Sequence, residues 1–256
     1  MIELENKAYW TKRAPGYSQV NQTELDTSQR EVWRGALAEK LTAHFGPRRP
    51  DTLRVLEVGT GPGFFAIILA EAGYPVTAVD YTPAMLAEAR KNAGPLASAI
   101  TFREMDAQSL DFPDGSFDVV LSRNLTWNLP QPERAYREWC RVLKPGGLLL
   151  NFDANWYGYL YDSRRRDAYE ADRRRTAEQG IKDEYTCTDI DAMEAIARQV
   201  PLSAADRPAW DLRVLERLGM RADVDENAWR RVWSREEKIN FSATPLFQIA
   251  AYPVCG

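Results

Sequence analysis

Leu53-Arg54-Val55-Leu56-Glu57-Val58-Gly59-Thr60-Gly61-Pro62-Gly63-Phe64 is the stretch on which the fold turns. Leu53 to Val58 is apolar apart from one arginine and one acid, the pattern of a buried strand. Three alternate glycines follow at once, and a helical run, Phe64 to Ala72, begins where they end and stops at Gly73. Glycine adopts positive φ readily and, lacking a Cβ, lets the backbone come into contact with a ligand. The turn alone does not choose the ligand. A dinucleotide fingerprint has GxGxxG spacing and sets a pyrophosphate on the helix N-terminus. Here the glycines fall at 59, 61 and 63 with Phe64 in the sixth position, so a ligand without a pyrophosphate fits at least as well.

Outward from this turn the alternation continues. Strands are expected over Pro75 to Asp80, Ile100 to Glu104, Phe117 to Ser122 and Leu148 to Asp153. Helices are expected over Pro83 to Asn92 and Pro132 to Leu143, the second closed by Lys144-Pro145-Gly146-Gly147. Such a series predicts an α/β fold with a mostly parallel sheet covered on both faces. Residues 155–205 are charged and helical in pattern, over Tyr161 to Gly180 and Asp189 to Gln199, which reads as an inserted helical cap. A helix over Ala209 to Leu218, a strand around Val224 to Val232 and a last strand over Leu246 to Tyr252 complete the chain. Upstream, apolar positions recur at helical spacing from Ser28 to about Phe45, and Gly46-Pro47 ends that helix. Residues 1–22, with Tyr9, Trp10 and Tyr17 around Pro15-Gly16, read as irregular or only briefly helical. The expected division is an N-terminal lid segment 1–45, a Rossmann-like domain from 46–154 and 206–256, and the cap 155–205.

Two carboxylates stand where a nucleoside would need them. Asp80 ends the second strand, 21 residues beyond Gly59, and can accept hydrogen bonds from ribose hydroxyls. Asp106-Ala107 follows the third strand and can meet an adenine amino group and ring nitrogen.

Val55-Leu56-Glu57-Val58-Gly59-Thr60-Gly61-Pro62-Gly63 resembles the first motif of the class I S-adenosylmethionine-dependent methyltransferases. Asp80 matches that family's ribose-binding acid, and Met105-Asp106-Ala107 its adenine-recognition motif. Phe112-Pro113-Asp114-Gly115-Ser116-Phe117-Asp118-Val119-Val120 matches its fourth-strand signature, and Arg141-Val142-Leu143-Lys144-Pro145-Gly146-Gly147 is similar to the turn before its fifth strand. Order and spacing agree over residues 53–153. The resemblance implies a Rossmann-like class I methyltransferase fold, its seven-stranded sheet ordered 3-2-1-4-5-7-6 with strand 7 antiparallel, and S-adenosylmethionine as cofactor. It also implies residue roles: Gly59, Thr60, Gly61 and Gly63 beneath the methionine part, Glu57 at its amino group, and Tyr81 and Met85 flanking the adenine that Asp106 and Ala107 read. Asn124 would meet the methionine part or the acceptor, and Tyr9 is counted with the cofactor set.

In that chemistry the sulfonium already makes its methyl group electrophilic, so the protein's task is to align an acceptor and exclude water. The sole histidine, His44, lies late in a helix and reads as a surface residue. The acceptor site is expected at the carboxyl ends of the strands, roofed by Tyr9, Trp10 and Tyr17. Its floor is expected from Asn124, Trp127 and Asn128, with Asn151 and Asp153-Ala154-Asn155-Trp156-Tyr157 nearby. Tyr17, Asn124, Asn155 and Tyr157 are the candidate catalytic residues. Tyr159, Tyr161 and Tyr185 offer further hydroxyls. Aromatics beside amides and a carboxylate suit a compact acceptor, an amine, amino acid or related metabolite. Two alternatives keep the cofactor: a cyclase or lyase that releases methylthioadenosine by intramolecular displacement, and a non-catalytic binding protein. A nicotinamide oxidoreductase is opposed by the Asp80 and Asp106 pair and the Leu-Lys-Pro-Gly-Gly turn.

Bulk properties narrow the remaining choices. With 256 residues, 45% hydrophobic and 27% charged, the chain supports one substantial core. A net charge of -4 and acids around Arg164-Arg165-Arg166 and Arg173-Arg174-Arg175 read as a solvated helix face with pairs Asp162–Arg166 and Glu170–Arg174, not as a phosphate track. The fourth strand runs into Ser122-Arg123-Asn124-Leu125 with no Asn/Asp-Pro-Pro-Tyr/Phe run, which in the resembled family implies methylation of a base or a glutamine amide nitrogen, so amino-methylation of nucleic acid is disfavoured. Cys140, Cys187 and Cys255 form no metal or disulfide pattern. No apolar run long enough to span a membrane and no leader pattern is present, so a cytoplasmic monomer or homodimer acting on a small molecule, without metal, is expected.

Overall fold

The computed structural model describes residues 2–185 and 188–254, so Cys187 and Cys255 lie outside the described residues. In chain order the elements are α1 (Ile2–Asp26), α2 (Gln29–Phe45), β1 (Val55–Val58), α3 (Phe64–Glu71), β2 (Val76–Asp80), α4 (Pro83–Ala93), β3 (Ile100–Glu104) and β4 (Phe117–Arg123). Then come α5 (Pro132–Val142), β5 (Leu143–Asp153), α6 (Ser163–Glu178), α7 (Ile190–Ala197), α8 (Ala209–Arg217), β6 (Met220–Asp225), α9 (Ala228–Val232), α10 (Arg235–Asn240) and β7 (Phe247–Pro253). The sheet order is β3-β2-β1-β4-β5-β7-β6. Strands β1 to β5 pair in parallel, while β7 runs antiparallel to both β5 and β6.

Strand alternation builds a core on each face. Val55, Val119, Leu121, Leu148, Leu150 and Phe152 point into one cluster with α2 and α3, where Trp33 packs edge-on against Phe65 and Phe152 at 5.0 and 5.2 Å. Leu56, Val58, Val120, Leu149 and Ile249 point into the other, against Tyr136 and Trp139 of α5 and Val214 and Leu215 of α8. A third cluster is aromatic and belongs to the helices after β5: Tyr159 stacks on Tyr169 at 4.0 Å, and Tyr157, Tyr185, Met193 and Ile196 surround them.

Three expectations change. Residues 1–22 are not irregular: α1 runs unbroken from Ile2 to Asp26, with Pro15 inside it. The strand expected around Val224 to Val232 begins and ends earlier, as β6. Gly219 at φ 76° turns α8 straight into it, and Met220, Ala222 and Val224 alternate with exposed or half-buried polar residues, whereas Ala228 to Val232 is helix α9. The arginine-rich helix α6 is not merely solvated. Arg166 lies over the rings of Tyr159 and Tyr169, and Arg173 bonds Asp183 and the Asn240 carbonyl; the expected Asp162–Arg166 and Glu170–Arg174 pairs do not form among the described residues. Asp162 instead caps the helix by accepting the Arg165 N–H at 2.9 Å.

Candidate functional site

At the carboxyl ends of β1, β2 and β4 the chain encloses two cavities that meet at one wall. The first is lined by the glycine turn, by Glu57, Asp80, Tyr81, Met85, Asp106, Ala107 and Asn124, and by one face of α1. The second, about 1020 Å³, lies between α1, the segment after β5 and α10. Trp10, Tyr17, Arg123 and Asn124 line both.

The first cavity is built by backbone constraint. Gly59 has φ 70°, and a Cβ there would lie 2.5 Å from the Leu125 side chain, so only glycine fits the turn. Asp80 fastens the turn to β2: its Oδ2 accepts the Gly61 N–H at 2.9 Å and its Oδ1 the Thr82 N–H at 2.8 Å. Each oxygen retains a lone pair for a further donor such as a hydroxyl. Asp106 accepts from the Gln108 backbone and side chain, and Gln108 Oε1 accepts the Gln131 N–H at 2.7 Å, which braces this end of the cavity. Glu57 is buried and accepts the Thr60 hydroxyl at 2.6 Å; burial pushes its carboxyl up to about 7. Burial likewise raises Asp80.

These residues fit S-adenosylmethionine. Asn124, at φ 56°, and Asn128 each present a buried side-chain oxygen with no hydrogen-bond partner, acceptors suited to an ammonium or hydroxyl donor. Glu57 can pair with a methionine ammonium, Asp80 with ribose hydroxyls, and Met85 and Tyr81 can flank an adenine. The chemistry of the donors therefore matches the group along the whole cavity.

Two members of the expected cofactor set lie elsewhere. Gly63 does not line the cavity: it begins α3 at φ 93°, and a Cβ there would lie 3.0 Å from the Ala89 Cβ, so this glycine serves the packing of α3 on α4. Tyr9 lines the second cavity, edge-on to Trp10 at 5.4 Å.

Of the four catalytic candidates, Tyr17 and Asn124 stand in the shared wall and Tyr157 lines the second cavity, its ring 4.9 Å from Trp127. Burial raises both phenols above their ordinary values, Tyr157 well above, so each serves as a neutral hydrogen-bonding group near neutral pH. Asn155 belongs to neither wall. Its Nδ2 donates to the Ala205 carbonyl at 3.0 Å, tying the segment after β5 to the residues before α8, while its neighbours Trp156 and Tyr157 line the cavity. Asn151 also sits apart, donating to Thr126 Oγ1 and the Tyr136 hydroxyl, both at 2.8 Å. Asp153 accepts the Trp127 N–H at 2.9 Å and pairs with the buried Arg207 at 2.7 Å, and so positions the Trp127 turn.

Sequence reasoning missed the charged part of the shared wall. Arg123, from the end of β4, makes a two-pronged pair with Glu24 of α1 at 2.7 and 2.8 Å and lies 4.7 to 5.3 Å from the rings of Phe64, Phe65 and Trp33. Asn21 donates to Glu24 at 2.9 Å. Glu237 of α10 faces the same chamber, and burial with the nearby Glu24 charge pushes it up to about 7. The only legible signal was the spacing of Tyr17, Asn21 and Glu24 along one helix face, which an assignment of irregular chain conceals. His44 bonds the Gly146 carbonyl at 3.0 Å, away from both cavities. Among the described residues no group of three or more His, Cys, Asp or Glu is placed to hold a metal, and no helix is long and apolar enough to cross a membrane.

A family model described as a methyltransferase domain matches residues 56–151. A demethylmenaquinone methyltransferase of Deinococcus radiodurans is 40% identical over 139 residues, 54% of this chain and 55% of its own length. A phosphatidylethanolamine N-methyltransferase of Cereibacter sphaeroides is 42% identical over 96 residues, 37% of this chain and 47% of its own. The chain thus spans about half the length of the curated relatives it matches. Among solved structures, a Haloferax volcanii putative methyltransferase, determined with the Trm112 methyltransferase activator, superposes with a TM-score of 0.59 at 17% identity, covering 96% of this chain and 98% of the other. A Streptomyces coelicolor geranyl diphosphate C-methyltransferase gives 0.56 at 16% identity, covering 86% and 79%. Both are likenesses of fold.

Proposed function

We propose that this chain, whose residues 56–151 match a methyltransferase domain, transfers a methyl group from S-adenosylmethionine to a small molecule, an amine, amino acid or related metabolite. The observation that carries this reading is the wall of Trp10, Tyr17, Arg123 and Asn124, at which the cavity of the glycine turn, Glu57 and Asp80 meets a separate, larger one. The relatives' names cover both a demethylmenaquinone and a phosphatidylethanolamine nitrogen, so acceptor chemistry is argued from this chain's own chamber.

Bound S-adenosylmethionine supplies a sulfonium methyl group that is electrophilic without further activation. Glu57, with the free oxygens of Asn124 and Asn128, orients the cofactor's amino-acid end, and Asp80 holds its ribose. The neutral Tyr17 hydroxyl in the shared wall positions the acceptor by hydrogen bonding. The Tyr17 ring, with Trp10 and Trp127, excludes water and leaves the approach as the main barrier to lower. Tyr157 directs the acceptor from the far side.

The test is mass spectrometry of the purified protein incubated with S-adenosylmethionine and pools of amines, amino acids and metabolites. S-adenosylhomocysteine that appears only with an acceptor pool is the expected result. Methylthioadenosine above the enzyme-free background with no acceptor present overturns it in favour of intramolecular displacement.

A further inference from the structure

The large chamber is unbalanced in charge. Four carboxylates line it, Glu24, Glu184, Glu236 and Glu237, against the three cations Arg13, Arg123 and Lys182. Arg123 is taken up by Glu24 and three aromatic rings, and Lys182 pairs with Glu184 at 3.1 Å. Arg13 lies over the Tyr17 ring at 5.9 Å. No Lys or Arg among the described residues comes within ion-pairing distance of Glu237.

Helix capping accounts for only half of this carboxylate. Glu237 Oε2 accepts the Ser234 N–H at 2.7 Å and the Gln29 side-chain amide, completing the cap of α10. Oε1 takes no hydrogen bond among the described residues, and the residue lines the chamber. One turn further on, Phe241 stands against Trp156 at 5.3 Å, Tyr185 at 5.6 Å and Trp233 at 5.7 Å. A carboxylate and several aromatic rings lining one chamber can attract an organic cation, through ring quadrupoles and direct charge together. In the wall shared with the cofactor cavity, the buried Asn124 oxygen is a further acceptor without a donor. At about 1020 Å³ the chamber is at the upper end of small-molecule sites and has room for a cation carried on a sizeable apolar body.

Arg173 already lies over the Tyr185 ring at 4.8 Å; we propose that Glu237, with Trp156, Trp233 and Phe241, anchors a cationic nitrogen of a bulky apolar or aromatic acceptor. This rests on the reading of the chamber as the acceptor site. Glu237 binds the substrate and selects it by charge; it is not required to take part in the transfer itself.

The experiment is isothermal titration at a pH above neutral, where Glu237 is ionised, with the full chain and saturating S-adenosylhomocysteine. The probes are benzyltrimethylammonium, 2-phenylethylamine, the neutral 2-phenylethanol and the anion phenylacetate. The two cations are expected to bind at least about tenfold more tightly than the neutral and anionic probes. Glu237→Gln keeps an oxygen for the Ser234 cap and removes the charge. It should weaken both cations about tenfold while leaving the thermal midpoint and S-adenosylhomocysteine affinity unchanged. Phe241→Leu should weaken benzyltrimethylammonium about threefold and 2-phenylethanol little. Equal binding of all four probes, or undiminished cation affinity in Glu237→Gln, overturns the proposal. Failure of S-adenosylhomocysteine to bind the wild-type chain would instead defeat the methyl-transfer reading, and cation selectivity without the nucleoside would leave the anchor standing.

Discussion

Single residues in this site are set by what burial does to charge. Glu57 is held near 7 by desolvation, with the Thr60 hydroxyl and Arg123 pulling it only partly back. Below that value the carboxyl carries a proton that must leave before it can pair with an ammonium. S-adenosylhomocysteine affinity is therefore expected to rise as pH climbs toward about 7 and to level off above it. In Glu57→Gln this portion of the dependence should vanish, together with roughly tenfold or more of the affinity at high pH. Calorimetric titrations across that range check it, and a wild-type affinity that is flat with pH would contradict the assigned role. Glu57 and Asp80 were legible in the sequence because each abuts a strand end whose position the glycine turn dictates. Asn155 was misread because strand-end proximity does not say which way a side chain leaves the backbone; here the amide turns to Ala205.

At the scale of the element, α1 is the departure from expectation with the most consequence. Glu3, Asn6, Trp10, Arg13, Tyr17, Val20 and Glu24 fall on one helix face, and all line the two cavities. Helical periodicity is read from apolar residues, and this stripe is mostly polar; the buried residues of α1 include Asn6, Ser18, Asn21 and Glu24. Asn6, Ser18 and Glu24 meet distant partners, as when Asn6 donates to the Asn128 carbonyl at 3.1 Å and accepts from its side chain at 3.0 Å, while Asn21 donates to Glu24 within the helix. A helix held by such contacts, over an open cavity, should open more easily than the sheet. Hydrogen exchange is expected to be faster in residues 2–26 than in β1 and β4, and to slow when S-adenosylhomocysteine binds. Glu24→Gln leaves Arg123 without its counter-charge and should loosen α1 by about 3 kcal/mol. Exchange in α1 that ignores both ligand and mutation would show that the helix is not part of the site.

Across the whole molecule, one buried network joins the sheet to the segment that lines the larger chamber. Arg207, fully enclosed, pairs with Asp153 at the end of β5 and with Asp211 of α8, and Asp211 accepts the Tyr136 hydroxyl at 2.7 Å. Asp153 in turn receives the Trp127 N–H, so the ion network and the chamber wall share an atom. Removing the central cation strands two buried carboxylates. Arg207→Met is expected to cost about 3–5 kcal/mol in urea unfolding and to lower turnover through misplacement of Trp127. A loss below about 1 kcal/mol would mean that the network is relaxed or hydrated. A second connection fastens α6 to the loop before β7: Asp172 accepts from Ser242 and from the Ala243 backbone, both at 2.6 Å. The helices after β5 are thus bound to residues from both ends of the chain, and the chamber cannot be assigned to one inserted segment.

The sequence by itself determined the parallel strands β1 to β5, the glycine turn and the places of Glu57 and Asp80 near strand ends, while the order of the sheet came from the family resemblance. All three follow from constraints that act within about ten residues: positive φ, side-chain alternation and the end of a strand. Only the tertiary structure decided the chamber beyond the shared wall. Glu24, Gln29, Arg123 and Glu237 come from four distant stretches, and α10 lies between β6 and β7, outside the expected cap. A buried charge is tolerable only beside its partner, so no window of sequence reveals that these residues are buried at all until the chain has brought them together.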